Sequence, residues 1–266
     1  MSEPEAAEPT ASGEPERPRL LGYVHALSAA FGFLTRLPVP HHAGGARTLA
    51  RSLVWFPWVG AALGACQIAL AYALGGTLTP LLCATFVVAL SALLTGALHL
   101  DGLADLFDGL GGGRGDRTRT LAIMRDSRIG SFGALAMSLV VVAKIAAIEA
   151  LLAPGARAAL PALLLAPAVA RTAAAGLIVA LPYARELGLG TAFRDHARNG
   201  HAVAAALMAA AIAALLDPDA LLAIGVTWLL AALFGLWIAR RLGGLTGDVY
   251  GAAIELSELT FLVLIQ

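Results

Sequence analysis

The sequence predicts an all-α, polytopic integral membrane protein, a helical bundle of about six or seven transmembrane spans. Three observations carry that prediction. The 266 residues are 59% hydrophobic and only 14% charged, whereas a soluble domain lies near 45–50% apolar and about 25% charged. Long apolar runs alternate with short polar islands, and several runs reach the roughly 20 residues that a helix needs to cross a bilayer core. Nowhere do apolar and polar residues alternate strictly, as the strands of a membrane β-barrel would require.

The elements follow in order. Residues 1–19, "MSEPEAAEPTASGEPERPR", are rich in proline and glutamate, and they read as a disordered tail rather than a signal peptide. Residues 20–266 form a single membrane-embedded domain. Its first segment, 20–37, is weakly amphipathic and suits the membrane surface. Spans are expected near 52–74, 80–98, 131–152, 158–181, 201–216, 220–239 and 251–266, the fifth and last being short. The formal net charge is zero, which gives no reason to expect nucleic acid as a partner. Cys66 and Cys83 lie in apolar runs and read as packing residues. His41 and His42, in the loop before the first span, read as solvated.

Arginine placement orients the bundle. Arg36, Arg47 and Arg51 precede the first span, and Arg114, Arg117, Arg119, Arg125 and Arg128 lie between the second and third. Arg185, Arg194 and Arg198 follow the fourth, and Arg240 and Arg241 follow the sixth. Alternate threading puts all of them on one side, with Arg157 the only basic residue in the opposite loops. The positive-inside rule makes the arginine-rich side cytoplasmic.

Three polar islands on that side carry the candidate chemistry. The first is "HLDGLADLFDG", residues 99–109. On a helix Asp101, Asp105 and Asp108 fall within about 60° of one face. Aligned like charges repel. A divalent cation offsets that repulsion, and Mg²⁺ is held by carboxylates together with water and substrate phosphates. The plainer alternative is a hydrated helix end with scattered acids. His99 borders the motif as a candidate substrate contact.

The second island holds Arg125, Asp126, Ser127 and Arg128. Guanidinium groups bind phosphate oxygens in pairs. Carboxylate metal ligands followed by arginines are what phosphoryl transfer from a diphosphate uses. Topology alone also accounts for arginines here, most readily for Arg114, Arg117 and Arg119. The third island, 240–261, brings Thr246, Asp248, Glu255 and Glu258. Charges inside a span are costly and by default mark a functional interior. These acids complete a metal site, position a hydroxyl, or pair with basic residues for folding. Lys144 and Arg171, also inside spans, each call for a carboxylate or a cavity. Arg185 lies in a further loop that can touch substrate.

The blocks "FLTRLPVP", "WFPWVG", "LTGALHLDGLADLFDGL", "LAIMRDSRIGSFG", "LPYARELGLG" and "GGLTGDVYGAAIELSE" occur in this order. Together they resemble the cobalamin synthase family, the adenosylcobinamide-GDP ribazoletransferases, from about residue 20 to the C-terminus. The resemblance implies a multi-pass enzyme of the bacterial inner membrane with a cytoplasmic site. It joins adenosylcobinamide-GDP to α-ribazole or its 5′-phosphate, releases GMP and requires Mg²⁺. On that reading Asp101, Asp105 and Asp108 hold the metal, one of them takes the acceptor's proton, and Arg125 and Arg128 stabilise departing GMP. Asp126 orients an arginine or adds a ligand, while His99, Ser127, Arg185, Thr246, Asp248, Glu255 and Glu258 contact substrate. A homo-oligomer, or association with other corrinoid-assembly enzymes, is left open. The rival readings are another Mg²⁺-dependent membrane transferase, such as a CDP-alcohol phosphotransferase with its loosely similar acidic motif, and a corrinoid transporter without chemistry.

Overall fold

In the computed structural model, residues 19–40, 45–185 and 191–266 are described. The expected tail, up to residue 18, and His41 and His42 lie outside them. The helices are α1 (Arg19–Leu34), α2 (Ala46–Ser52), α3 (Phe56–Leu74), α4 (Pro80–Thr95), α5 (Leu98–Gly113), α6 (Arg117–Ile123), α7 (Ser131–Leu152), α8 (Leu160–Ala180), α9 (Thr191–Arg194), α10 (Asn199–Leu216), α11 (Ala220–Leu242) and α12 (Gly247–Leu264). A 3₁₀ turn, Leu53–Trp55, joins α2 to α3. Among the described residues the only β pairing is one isolated parallel bridge, Tyr183 with Leu245.

Five helical segments are long and apolar enough to cross a membrane: Ala46–Leu74, α7, α8, α10 and α11. The pair α4 and α5 makes a sixth if counted as one bent span. That is fewer than the seven segments read from the sequence. The difference lies in α12, whose 18 residues carry Asp248, Glu255 and Glu258. It is an interior helix, packed against α5, α7, α8 and α11.

Helix boundaries follow local chemistry. Proline starts α4, where a missing N–H costs nothing, and Thr79 caps it by accepting from Leu82 N. The expected span 80–98 breaks at Gly96 and Ala97, both left-handed at φ 61° and 54°. Two left-handed residues in succession turn the chain, and α5 leaves the axis of α4 at 89°. Gly96 lacks a Cβ where the Arg36 side chain lies, and Arg36 N donates to Leu94 O at 2.9 Å. An arginine at a helix C-terminus also faces the negative end of its dipole. Thus α5 runs across the end of the bundle rather than through it.

The expected surface segment is α1, which packs on α2 and α3 with Ala26, Ala30 and Leu34 buried and Tyr23 and Val24 exposed. At the centre stands α8, buried along most of its length and touched by α3, α10, α11 and α12. Its many alanines, and Gly60 and Gly64 on α3, let backbones approach closely, the usual substitute for hydrophobic drive between membrane helices. Burial is organised in layers. One apolar cluster, including Leu53, Phe56, Leu103, Leu106 and Val249, lies toward the α5 end. A second, including Val87, Ile148, Leu163 and Phe261, lies toward the opposite end. Cys83 is buried in the second, whereas Cys66 faces outward; both are free.

Between the layers the interior charges pair. Lys144 Nζ reaches Glu255 Oε2 at 2.8 Å and Glu258 Oε1 at 3.1 Å, and Arg171 Nη1 reaches Glu258 Oε2 at 3.2 Å. All four side chains are buried. Two cations and two anions cancel, so the belt carries no formal net charge. Lys144 and Arg171 find the carboxylates that their positions called for, with Lys144 shared by Glu255 and Glu258 and Arg171 on Glu258. Removing one member would strand a buried charge, a loss of about 3–5 kcal/mol.

Candidate active site

Helix α5 carries the first acids. Asp101 is exposed, Asp105 half-buried and Asp108 buried. The single carboxylate face expected from spacing does not persist as a unit. Asp108 Oδ2 accepts from Gly130 N at 2.7 Å, and Oδ1 accepts from Gly133 N at 2.8 Å. It therefore caps the start of α7, where unpaired N–H groups and the positive end of the dipole favour an anion. The expectation that Asp108 is a metal ligand meets this competing use. Helical spacing shows which side chains share a face, but not which neighbour that face meets.

A fourth acid stands near the first two. Helices α5 and α12 cross in close contact because residue 102 is glycine: a Cβ there would lie 2.8 Å from Asp248 O and 2.9 Å from its Cα. Asp248, in the first turn of α12, thus joins Asp101 and Asp105. Partial burial, then the charges of Asp101, Asp248 and Asp108, push the Asp105 carboxyl up to about 6, with Arg185 pulling the other way.

The remaining loops fix this cluster. Leu245 N donates to Pro182 O and Ala184 N to Leu245 O, both at 2.8 Å, which forms the isolated bridge. Gly244, at φ 150°, allows the contact: a Cβ would sit 2.6 Å from Pro182 O and 2.8 Å from Ala184 N. The bridge sets Arg185 beside Asp248, Nη2 to Oδ2 at 2.8 Å. Buried Thr246 accepts from Val249 N to cap α12 and donates to Asp248 Oδ2 at 3.2 Å. Arg117 binds the same junction, donating through Nε to Leu242 O at 2.6 Å and through Nη2 to Ala184 O at 3.3 Å. Topology was the readiest reading of Arg117, and the structure makes it a clamp between α6, α11 and the 181–185 loop. Its only signal in the sequence was membership of an arginine-rich loop.

The second island is open to solvent. Arg125, Ser127 and Arg128 are exposed, and Asp126 holds Arg128 at 2.7 Å. That bond draws the Asp126 carboxyl down from its usual range. Asp126 thus orients an arginine, one of the two roles expected. A cleft of about 440 Å³ runs here, lined by Asp108, Asp126, Arg128, Gly130 and Ser131 among others. His99 is buried where α5 meets α12, its α-carbon beside Gly251, and Nδ1 has no partner.

The arrangement unites Asp101, Asp105, Asp248, Thr246 and Arg185 at the end of the bundle, while Asp126 and Arg128 line a cleft that Asp108 also borders. Glu255 and Glu258 belong to the interior belt. Among the described residues no three His, Cys, Asp or Glu side chains stand close enough to hold a metal ion by themselves. Mg²⁺ asks less: one or two carboxylates, with water and substrate phosphate completing the shell. Asp101, Asp105 and Asp248 are hard oxygen donors, and among the described residues Arg185 pairs with Asp248 alone. The donor set therefore fits Mg²⁺ with a phosphate ligand.

Fold and site define a polytopic, all-α membrane protein with an acidic and arginine-rich centre at one end of its bundle. Residues 26–266 match the family model described as cobalamin-5-phosphate synthase, and the chain belongs to that family. It is similar to a protein of Syntrophobacter fumaroxidans, 44% identical over 238 residues, which cover 88% of this chain and 94% of that one. A Pseudomonas aeruginosa relative is 42% identical, covering 90% and 97%, and one from Klebsiella pneumoniae is 44% identical, covering 88% and 96%. All three are named adenosylcobinamide-GDP ribazoletransferase. No solved structure matches the chain.

Proposed function

We propose that the chain transfers the adenosylcobinamide-phosphate group from adenosylcobinamide-GDP to α-ribazole or its 5′-phosphate at the cytoplasmic face of a bacterial inner membrane. The family supports the reaction. The observation that supports the location is the meeting of Asp101, Asp105 and Asp248 with Arg185; Asp101 and Asp105 share a helix with Asp108, which borders the Arg128 cleft.

The acceptor's ribose hydroxyl attacks the phosphorus that bears cobinamide. A new P–O bond forms, the diphosphate bridge breaks, and GMP leaves. The hydroxyl proton goes to Asp105, whose raised value lies near working pH, as a general base requires. Arg125 and Arg128 bind the departing phosphate, and Asp126 presets the Arg128 fork. Arg185 and Thr246 position Asp248. Mg²⁺, when bound by Asp101 and Asp248, supplies charge neutralisation on the diphosphate. The interior belt gives no support to a transporter, because its charges satisfy one another.

Incubation of the purified protein in detergent with adenosylcobinamide-GDP, α-ribazole and Mg²⁺ should release GMP and form adenosylcobalamin, and EDTA should stop it. Turnover only with a CDP-alcohol donor, or none, would reject the proposal. Cysteines placed near Arg119 and Asp217 should label from opposite sides of the membrane, the first from the cytoplasm. Labelling of both from one side would refute the orientation.

A further inference from the structure

A cavity of about 290 Å³ lies where the end of α5, the turn into α6 and the last turn of α11 meet. Leu110 and Leu242 give it apolar wall, and Arg117 and Arg241 bring two guanidinium groups to it. Among the described residues it shares no lining side chain with the Arg128 cleft. Thr120 also lines it, but the Thr120 hydroxyl already donates to Asp116 O at 2.7 Å. The donors left for an occupant are therefore those of the arginines. Arg117 commits Nε and Nη2 to Leu242 O and Ala184 O, and Nη1 has no acceptor among the described residues. Arg241 lies with Cζ 4.7 Å from the centroid of the Trp237 ring. Among the described residues no carboxylate pairs with either arginine. A guanidinium stacked on an indole is held by its face and keeps its N–H edge for an anion.

The surface that leads to the cavity narrows the choice of anion. Leu229, Leu233, Trp237 and Arg241 follow one another at four-residue intervals on one face of α11. The first three are 58%, 53% and 43% exposed, on a helix long and apolar enough to cross a membrane. In a bilayer such a face meets acyl chains, and a tryptophan near its end sits at headgroup level. The stripe ends at the arginine that lines the cavity. A molecule with a phosphate in the cavity and hydrocarbon along α11 matches both features, whereas a soluble anion matches only the first.

We infer that this cavity holds the phosphate of an anionic phospholipid, with its acyl chains along the Leu229, Leu233 and Trp237 face of α11. Arginine forks bind phosphate oxygens in pairs, and basic pockets between membrane helices take acidic headgroups. A zwitterionic lipid carries an ammonium of its own, which two guanidinium groups repel, so a headgroup with net negative charge is preferred. Such a site needs the membrane but not the transferase reaction.

The test is titration of the purified full-length protein in neutral detergent with short-chain phosphatidylglycerol and, separately, short-chain phosphatidylcholine. Wild type should bind one phosphatidylglycerol per chain, at least several-fold more tightly than phosphatidylcholine. Arg241→Gln should weaken phosphatidylglycerol about tenfold or more, the loss of one charged, paired contact. Arg241→Lys, which keeps the charge without the fork, should fall between the two. Arg240→Gln is the control: Arg240 is exposed on the same helix end and carries the same charge, but it is not among the residues that line the cavity. It should stay within about twofold of wild type. Equal weakening by Arg240→Gln and Arg241→Gln would mean bulk attraction to a basic surface and would overturn the site. So would equal affinity for the two lipids. Displacement of phosphatidylglycerol by inorganic phosphate or by GMP at matched ionic strength would give the cavity to a soluble phosphate and remove the lipid from it.

Discussion

Replacing Asp108 by alanine removes a carboxylate that joins two helices. Its oxygens accept from Gly130 N and Gly133 N at 2.7 and 2.8 Å, and the residue is 8% exposed. A hydrogen bond to a charged group contributes about 1.5–3 kcal/mol. Alanine loses both and leaves two N–H groups poorly solvated, so the expected loss is roughly 3–5 kcal/mol. For a chain of this size that corresponds to a fall in apparent Tm on the order of 10 °C. Asparagine keeps one acceptor and sets an NH₂ against the other N–H, so it should lose about half as much. The exposed Asp101 provides the contrast: Asp101→Ala should leave Tm nearly unchanged and remove most GMP release, since lost charge stabilisation at a metal site is worth several kcal/mol. Thermal unfolding in detergent, paired with GMP release below the transition, separates the two roles. If Asp108→Ala unfolds at the wild-type temperature and loses only Mg²⁺-dependent turnover, Asp108 is a ligand and the capping argument fails.

Three further outcomes are expected. Because the Asp105 carboxyl is raised to about 6, the folded chain binds more protons than the unfolded one below that value, and stability falls as pH rises through about 4 to 6. Asp105→Asn should therefore melt above the wild type at pH 8 in EDTA and lose that advantage by about pH 4; a pH-independent difference would contradict the cluster. Gly244→Ala should cost both Tm and turnover by prising apart the bridge that seats Arg185, whereas Gly247→Ala, which meets nothing within 4 Å, should be near neutral; equal Tm for the two variants would remove the bridge from the account. Arg117→Lys should lower Tm, since one ammonium cannot reproduce a fork on Leu242 O and Ala184 O; an unchanged Tm would return Arg117 to a purely topological role.

The site depends on how α5 lies. A straight continuation of α4 would have carried the acids along a span axis. The turn at Gly96 and Ala97 lays them across the bundle end, where α12 and α7 begin. There Asp108 meets the start of α7, and Asp101 and Asp105 meet Asp248. A single change of direction thus divides three equivalent-looking aspartates into one cap and two candidate ligands.

What the sequence determined by itself is whatever rests on short-range pattern. Apolar length and flanking polarity located α3, α4, α7, α8, α10 and α11 to within a few residues, because helix hydrogen bonds and bilayer thickness act locally. The polar and charged residues between and within the apolar runs located all three islands. Interior charges at 144, 171, 255 and 258 signalled that each needed a partner. Tertiary structure alone decided who the partners were. Arg185 and Asp248 stand 63 residues apart, and Arg117 and Leu242 stand 125 apart; no periodicity relates them. Asp108 illustrates the physical reason. Its helical face is a property of spacing, but its role follows from the unpaired N–H groups of α7, which only packing brings within reach. The enclosure of α12 has the same origin. Its two interior acids, Glu255 and Glu258, are tolerable because α7 and α8 supply Lys144 and Arg171, while Asp248 is met by Arg185.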